Sequence, residues 1–151
     1  MGEINWKDKC WVTTIYLINK ENKVLLTWNK NLSTWIPVGG HLNPGETPEE
    51  AISREVEEET GFKFEFLIPT NKEGRVRVLK PSRIQIEEVP HHNHHMNIVF
   101  IGKCTSYSNK AETDENEKLR WFSERELLDI KNKMLENVWK SSLEAIKLVK
   151  S

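Results

Sequence analysis

The pattern of hydrophobic and polar positions divides the chain into strands, one helix, further strands and two closing helices. Residues 11–18 (WVTTIYLI) are rich in β-branched and aromatic side chains, which is typical of a buried strand. Residues 97–104 (NIVFIGKC) form a second apolar run, which predicts a central strand. This order of elements predicts an α/β fold in which helices cover a mixed sheet. The other predicted strands are residues 23–28, 35–37, 62–68, 75–79, 83–89 and 119–122.

The middle helix has clear signals at both ends. Thr47 is a favourable N-cap, Pro48 suits the first turn, and Glu50 completes a capping box with Thr47. Gly61 can adopt the left-handed conformation that ends a helix.

The two closing helices are predicted from a cap and from periodicity. Ser123 and Glu126 form a second capping box, which opens a short helix through Ile130. Apolar residues at helical spacing predict a final helix over residues 133–149.

Three carboxylates share one face of the middle helix. Glu55, Glu58 and Glu59 have the spacing i, i+3, i+4, and their face overlaps the one that carries Ala51 and Ile52. Charge on the side that packs inward is costly unless a cation compensates it. Clustered carboxylate oxygens suit Mg²⁺ or Mn²⁺, so the sequence predicts a divalent-metal site.

The stretch from residue 40 to residue 62 resembles the Nudix hydrolase signature. Two glycines, several glutamates and one arginine stand at the spacing of that signature, and only Phe62 departs from it, at a position where the family usually has an aliphatic residue. The matching positions are Gly40, Glu46, Arg54, Glu55, Val56, Glu58, Glu59, Gly61 and Phe62.

The resemblance implies a single Nudix hydrolase domain over residues 1–151, folded as an α/β/α sandwich with a mixed β-sheet. It implies that Glu55, Glu58 and Glu59 bind Mg²⁺ or Mn²⁺, with one of them as general base. The Gly40 carbonyl is a further candidate ligand, and Arg54 and Glu46 would pair to hold the loop and the helix together. Such metals neutralise phosphate oxygens and activate water for attack on a pyrophosphate.

A further catalytic carboxylate is expected from the acidic loop before residue 119. Relatives often add a carboxylate from outside the helix, and Glu115 lies six residues before Trp121, at the expected spacing. The alternative is that this loop is only a solvated run of charges.

Candidate substrate contacts border the loop that leads into the motif. Trp28 and Trp35 could stack on a nucleobase, and Lys30 could replace an arginine that many relatives carry near this point. The missing arginine argues against a nucleoside triphosphate as substrate. Core packing is the alternative for these tryptophans and the first expectation for Trp11, Trp121 and Trp139.

Four histidines lie between residues 91 and 95. Such a cluster could bind Zn²⁺, or could face the substrate pocket with His94 as the contact; a polar loop with incidental histidines is the alternative. Strand alternation would point His94 and His95 to opposite faces.

The net charge, the cysteine spacing and the hydropathy of the chain limit the kinds of molecule that the protein is expected to bind. A net charge of −1 argues against a general nucleic-acid binder. Cys10 and Cys104 fit no metal or redox spacing, and no apolar run approaches a membrane span. We therefore expect a cytoplasmic protein that acts on small molecules, as a monomer or a homodimer.

Together these features predict a Mg²⁺-dependent hydrolase of a nucleoside diphosphate linked to another moiety. A nucleoside triphosphate pyrophosphohydrolase of the housecleaning type is the first alternative. A non-catalytic Nudix-fold module that binds nucleotides is the second, although a binder has no need of the full glutamate set.

Overall fold

The structure is a computed structural model that describes residues 9–89, 94–107 and 118–151. None of the helices in these ranges is long and apolar enough to cross a membrane. The strands are β1 (Lys9–Ile18), β2 (Val24–Asn29), β3 (Thr34–Ile36), β4 (Val38–His41), β5 (Lys63–Phe66), β6 (Asn71–Glu73), β7 (Val76–Val78), β8 (Arg83–Glu87), β9 (His94–Ser106) and β10 (Leu119–Phe122). The helices are α1 (Pro48–Thr60), α2 (Glu124–Asp129) and α3 (Glu136–Lys150).

The main sheet is mixed, as predicted, and is centred on two long strands. β1 and β9 pair in parallel from Lys9 with His94 to Ile18 with Lys103. The strand order is β10-β2-β1-β9-β5, while β3 pairs with β2, β4 with β1 and β8 with β9, all antiparallel. β6 and β7 form a separate hairpin.

Helices cover both faces of the sheet and give two apolar cores. On one face, Ile52 and Val56 of α1 pack with Ile15 of β1. On the other face, α3 contributes Val138 and Ile146 to a second core. Alternation along β1 supplies both cores, because successive side chains of a strand point to opposite faces. The predicted α/β/α sandwich is confirmed.

The predicted helix caps are present. The Thr47 hydroxyl accepts from the Glu50 backbone N–H at 3.2 Å, and the Glu50 carboxylate accepts from the Thr47 N–H at 3.0 Å. Gly61 ends α1 with φ of 70°. Ser123 and Glu126 form the same reciprocal pair at 3.1 Å in both directions.

Several predicted boundaries were wrong. The strand predicted over residues 75–79 is part of the β6–β7 hairpin, because Gly74 with φ of 62° permits a tight two-residue turn. The final helix begins at Glu136 rather than residue 133, and a 3₁₀ turn over Lys131–Lys133 precedes it.

The prediction of a core position was wrong for one tryptophan. Trp11 is 50% exposed, on the part of the sheet that α1 leaves open. Trp121 and Trp139 each pack against a core, as expected.

Candidate functional site

The site is formed where β4 meets α1. Gly39 and Gly40 allow the two elements to approach closely: a Cβ on Gly40 would lie 2.4 Å from Oε1 of Glu55, and one on Gly39 would lie 2.1 Å from the Thr13 carbonyl oxygen. The Glu55 carboxylate therefore rests directly against the backbone of Gly40. No side chain could stand at position 40 without displacing that carboxylate.

Arg54 connects four acceptors at the surface of this junction. Its Nε and Nη2 donate to the two carboxylate oxygens of Glu46 at 2.8 and 2.9 Å, and Nη2 also donates to the His41 carbonyl at 3.0 Å. Its Nη1 donates to Glu55 at 2.8 Å and to Glu58 at 3.3 Å. One guanidinium thus joins the loop before α1, the end of β4 and two of the three carboxylates.

The Glu46 carboxylate is held in its ionised form. It accepts the two Arg54 hydrogen bonds and a third from the Asn43 backbone N–H at 2.7 Å. These hydrogen bonds, that from Arg54 first, lower the pKa of Glu46 to about 2. The bidentate pair fixes the path of the chain into α1.

Glu59 has a different environment from the other two carboxylates. Its Oε2 accepts a hydrogen bond of 3.3 Å from the Gly39 backbone N–H. Burial first, and then the negative charges of Glu55 and Glu58, raise the pKa of Glu59 to about 7 against the lowering effect of the Gly39 hydrogen bond. Among the described salt bridges, none involves Glu59.

The donor set has the chemistry that Mg²⁺ or Mn²⁺ requires. Three carboxylates and the Gly40 carbonyl are all oxygen donors of the kind these ions prefer. In the described part of the chain, however, no three His, Cys, Asp or Glu side chains converge closely enough to hold an ion. Arg54 occupies oxygens of Glu55 and Glu58, and the Glu58 side chain is 59% exposed and so has room to turn. The residues fit the metal, but the ligand geometry is not preformed.

The predicted base-stacking tryptophans lie away from the carboxylates. The Trp28 and Trp35 rings meet edge to face at 5.4 Å, and Trp35 packs against Phe122 at 5.1 Å. Trp35 belongs to the core beneath α3, on the face of the sheet opposite α1. Lys30 lies in the exposed turn between β2 and β3. The structure therefore places Trp28 and Trp35 together, on the face of the sheet opposite α1.

The structure brings His95, rather than His94, beside His41 at the end of β4. His94 accepts a 3.3 Å hydrogen bond from the Val89 backbone N–H through Nδ1. The His95 ring meets the His41 ring edge to face at 5.2 Å, and its Nδ1 lies 3.5 Å from Oε1 of Glu87. Alternation separated the two histidines correctly, but no sequence signal showed which one would face His41.

A row of polar side chains extends from His95 across strands β8, β9 and β1. The Glu87 Oε2 accepts hydrogen bonds from Asn97 at 2.7 Å and Gln85 at 2.5 Å, and the Asn97 Oδ1 accepts from the Thr14 hydroxyl at 3.2 Å. Only the alternation of these strands, combined with their register, could have indicated this row. Through His95, this row of side chains reaches His41, whose backbone carbonyl accepts a hydrogen bond from Arg54.

Two sequence predictions fall outside the described residues. Glu115 lies between residues 107 and 118, and the first part of the histidine cluster lies between residues 89 and 94.

Comparison with known proteins identifies the family. The sequence model described as the NUDIX domain matches residues 9–144, so the chain belongs to that family. A crystal structure of a NUDIX-family hydrolase from Clostridium perfringens is 26% identical, with a TM-score of 0.73, over 92% of this chain and 97% of that one. A NUDIX hydrolase from Nitrosomonas europaea shares the fold at 20% identity, with a TM-score of 0.63, over 94% of this chain and 88% of that one.

A curated relative carries a more specific name. The Bacillus subtilis (strain 168) protein named "Putative 8-oxo-dGTP diphosphatase" is 28% identical over 109 residues, which are 72% of this chain and 63% of the relative. This chain thus spans less than two thirds of that relative's length.

Proposed function

We propose that this protein hydrolyses a pyrophosphate linkage in a nucleotide derivative, with Mg²⁺ or Mn²⁺ as cofactor. The observation that carries the proposal is the position of Glu55 and Glu59 against the Gly39–Gly40 backbone, with Glu58 joined to Glu55 through Arg54. Family membership supports the same reaction class. Among the residues that the structure describes, no salt bridge reaches the partly buried Glu59, and a structural role alone would not account for that.

In this proposal the three carboxylates and the Gly40 carbonyl would hold the metal. When bound, the metal would neutralise phosphate oxygens and lower the pKa of attacking water. Arg54 and Glu46 fix α1 against the loop, so that the carboxylates face the substrate in a defined orientation. The pKa of Glu59 is about 7 in the metal-free protein, and a bound cation would lower it, so Glu59 would release its proton when the metal binds. Glu115 is proposed as a further carboxylate from the acidic loop.

Two substrate classes remain as proposals. A nucleoside diphosphate linked to another moiety is favoured by the absence of arginine at residues 28 and 29, where Lys30 is the neighbouring cation in the sequence. A nucleoside triphosphate is favoured by the name of the Bacillus subtilis relative. Because Trp35 packs against the core beneath α3, Trp28, which is 37% exposed, is the better proposed contact for a base, and His94 is a proposed contact for the rest of the substrate.

One product panel tests both the reaction and the substrate class. The protein is incubated with nucleoside triphosphates, including 8-oxo-dGTP, and with nucleoside diphosphate sugars, in Mg²⁺, Mn²⁺ or chelator. Pyrophosphate with a nucleoside monophosphate indicates the triphosphate class, and a nucleoside monophosphate with a sugar phosphate indicates the other. Undiminished turnover in chelator, or hydrolysis of simple phosphate monoesters alone, would contradict the proposal.

A further inference from the structure

The outer edge of β8 is an unpaired strand edge. β8 pairs with β9 along one side, from Arg83 with Val99 to Glu87 with His95. No strand in the described residues pairs with its other side. An open edge presents backbone N–H and C=O groups that can pair with another strand.

The side chains of β8 expose apolar surface beside this edge. Ile84 is 58% exposed and Ile86 is 37% exposed, and both lie on the α1 face of the sheet. Ile86 stands opposite Met96 of β9, which in turn pairs with Trp11 of β1, itself 50% exposed. This row of apolar groups, exposed at Trp11 and Ile86 and half-buried at Met96, therefore runs across three strands to the β8 edge.

The sequence of β8, Arg-Ile-Gln-Ile-Glu, complements itself when it runs antiparallel to a second copy. A two-fold axis at Gln85 would place Arg83 opposite Glu87 of the partner subunit. It would place Ile84 opposite Ile86 of the partner subunit. Opposite charges and apolar pairs directly across antiparallel strands are both stabilising. An interface of this kind is isologous, as in most homodimers.

Arg83 and Glu87 both have hydrogen-bonding groups available for an ion pair across the two-fold axis. Arg83 donates to the Ser141 hydroxyl, and the described salt bridges include none to Arg83. A guanidinium has five N–H donors, so most remain available. Glu87 uses Oε2 for Gln85 and Asn97, and within the described ranges the contact given for its Oε1 is the 3.5 Å approach of His95.

We propose that two copies of this chain associate through antiparallel pairing of β8, which joins their sheets around a two-fold axis at Gln85. The contact is short, so the dissociation constant is expected in the micromolar range. This inference is independent of the proposed reaction.

Sedimentation velocity with charge-reversed variants tests the pairing directly. The wild type is expected to dimerise over a concentration series. Arg83→Glu and Glu87→Arg should each weaken association at least tenfold, because each homodimer then faces two like-charge pairs. Mixing the two variants should restore a dimer, since every cross-strand pair is again of opposite charge. That rescue cannot be explained by a folding defect.

A matched pair of substitutions locates the apolar part of the interface. Ile84→Lys should weaken association, whereas Leu128→Lys should not, although Leu128 on α2 is 54% exposed and so equally accessible. Circular dichroism checks that each variant is folded. A wild type that stays monomeric at high micromolar concentration would overturn the proposal. So would a dimer that is unaffected by Ile84→Lys and by both charge reversals.

Discussion

Helices α1 and α2 begin with the same capping box, yet one carries the candidate site and the other carries none. The difference lies in what surrounds an arginine. The Arg54 side chain is 25% exposed and contacts two carboxylates beside Glu46. Arg120, just before α2, is 54% exposed; it contacts one carboxylate, that of Glu126 at 2.9 Å, and lies 4.7 Å from the centroid of the Phe122 ring. A capping signal therefore starts a helix locally, while the surface that the helix packs against decides whether its charges form a site.

The largest expected effect is a loss of catalytic rate when Glu58 is replaced. Glu58 has no counterpart in α2. Glu58→Gln preserves shape but removes a charge that would hold the metal, so kcat should fall by roughly 100-fold or more. Glu57→Gln, at an exposed position of the same helix, is the control and should stay within about twofold of wild type. Steady-state kinetics in Mg²⁺ measures both. Equal rates for the two variants would remove Glu58 from the proposed metal site.

The two arginines provide the next comparison. Arg54→Gln should lower the melting temperature and the activity together, because it releases Glu46 and removes the cation that Glu55 and Glu58 share. Arg120→Gln should change the melting temperature little, since exposed ion pairs contribute little to stability. Thermal melts in chelator, with activity assays alongside, measure the contrast. A larger loss of stability for Arg120→Gln would contradict it.

Glu59 should make the stability of the metal-free protein depend on pH. Its folded pKa, about 7, lies above the ordinary value of 4.5, so folding favours its protonated form. The free energy of unfolding should therefore fall as pH rises from about 4.5 to 7, by roughly 3 kcal/mol at most, at 1.36 kcal/mol per unit. Glu59→Gln should flatten this part of the curve and be more stable than wild type at pH 8.

Urea unfolding in chelator at several pH values tests the prediction, with Glu57→Gln as the control that should retain the slope. Millimolar Mg²⁺ should raise the wild-type melting temperature at pH 8, because it binds the folded state, and should raise that of Glu59→Gln less. An identical pH slope for wild type and Glu59→Gln would show that Glu59 is not the titrating group.

The smallest expected effect is the loss of stability when an N-cap hydroxyl is removed. This loss should be the same for α1 and α2. Thr47→Ala and Ser123→Ala each remove one N-cap hydrogen bond, and each should cost about 1 kcal/mol in the free energy of unfolding. Urea denaturation compares them, with Thr→Ser at position 47 as the conservative control. A cost several times larger at Thr47 alone would mean that the α1 cap supports the site as well as the helix.

Local signals predicted the parts of the molecule that depend on local interactions. Both capping boxes, the glycine that ends α1 and the shared face of its glutamates follow from spacing along a helix, and the structure has them all. Strand register depends on contacts between distant residues. The sequence therefore could not show that His95 meets His41 or that Trp35 packs beneath α3.

The parallel pairing of β1 with β9 has a consequence for the order of folding. Each pair of facing residues in β1 and β9 is 85 residues apart in sequence. β1 therefore cannot pair with β9 until 85 further residues have been synthesised. Contacts of such separation slow folding. We expect a chain that stops at residue 93 to show no cooperative unfolding transition and to aggregate through the apolar β1. A cooperative melt of that fragment would show that the first half of the chain folds alone.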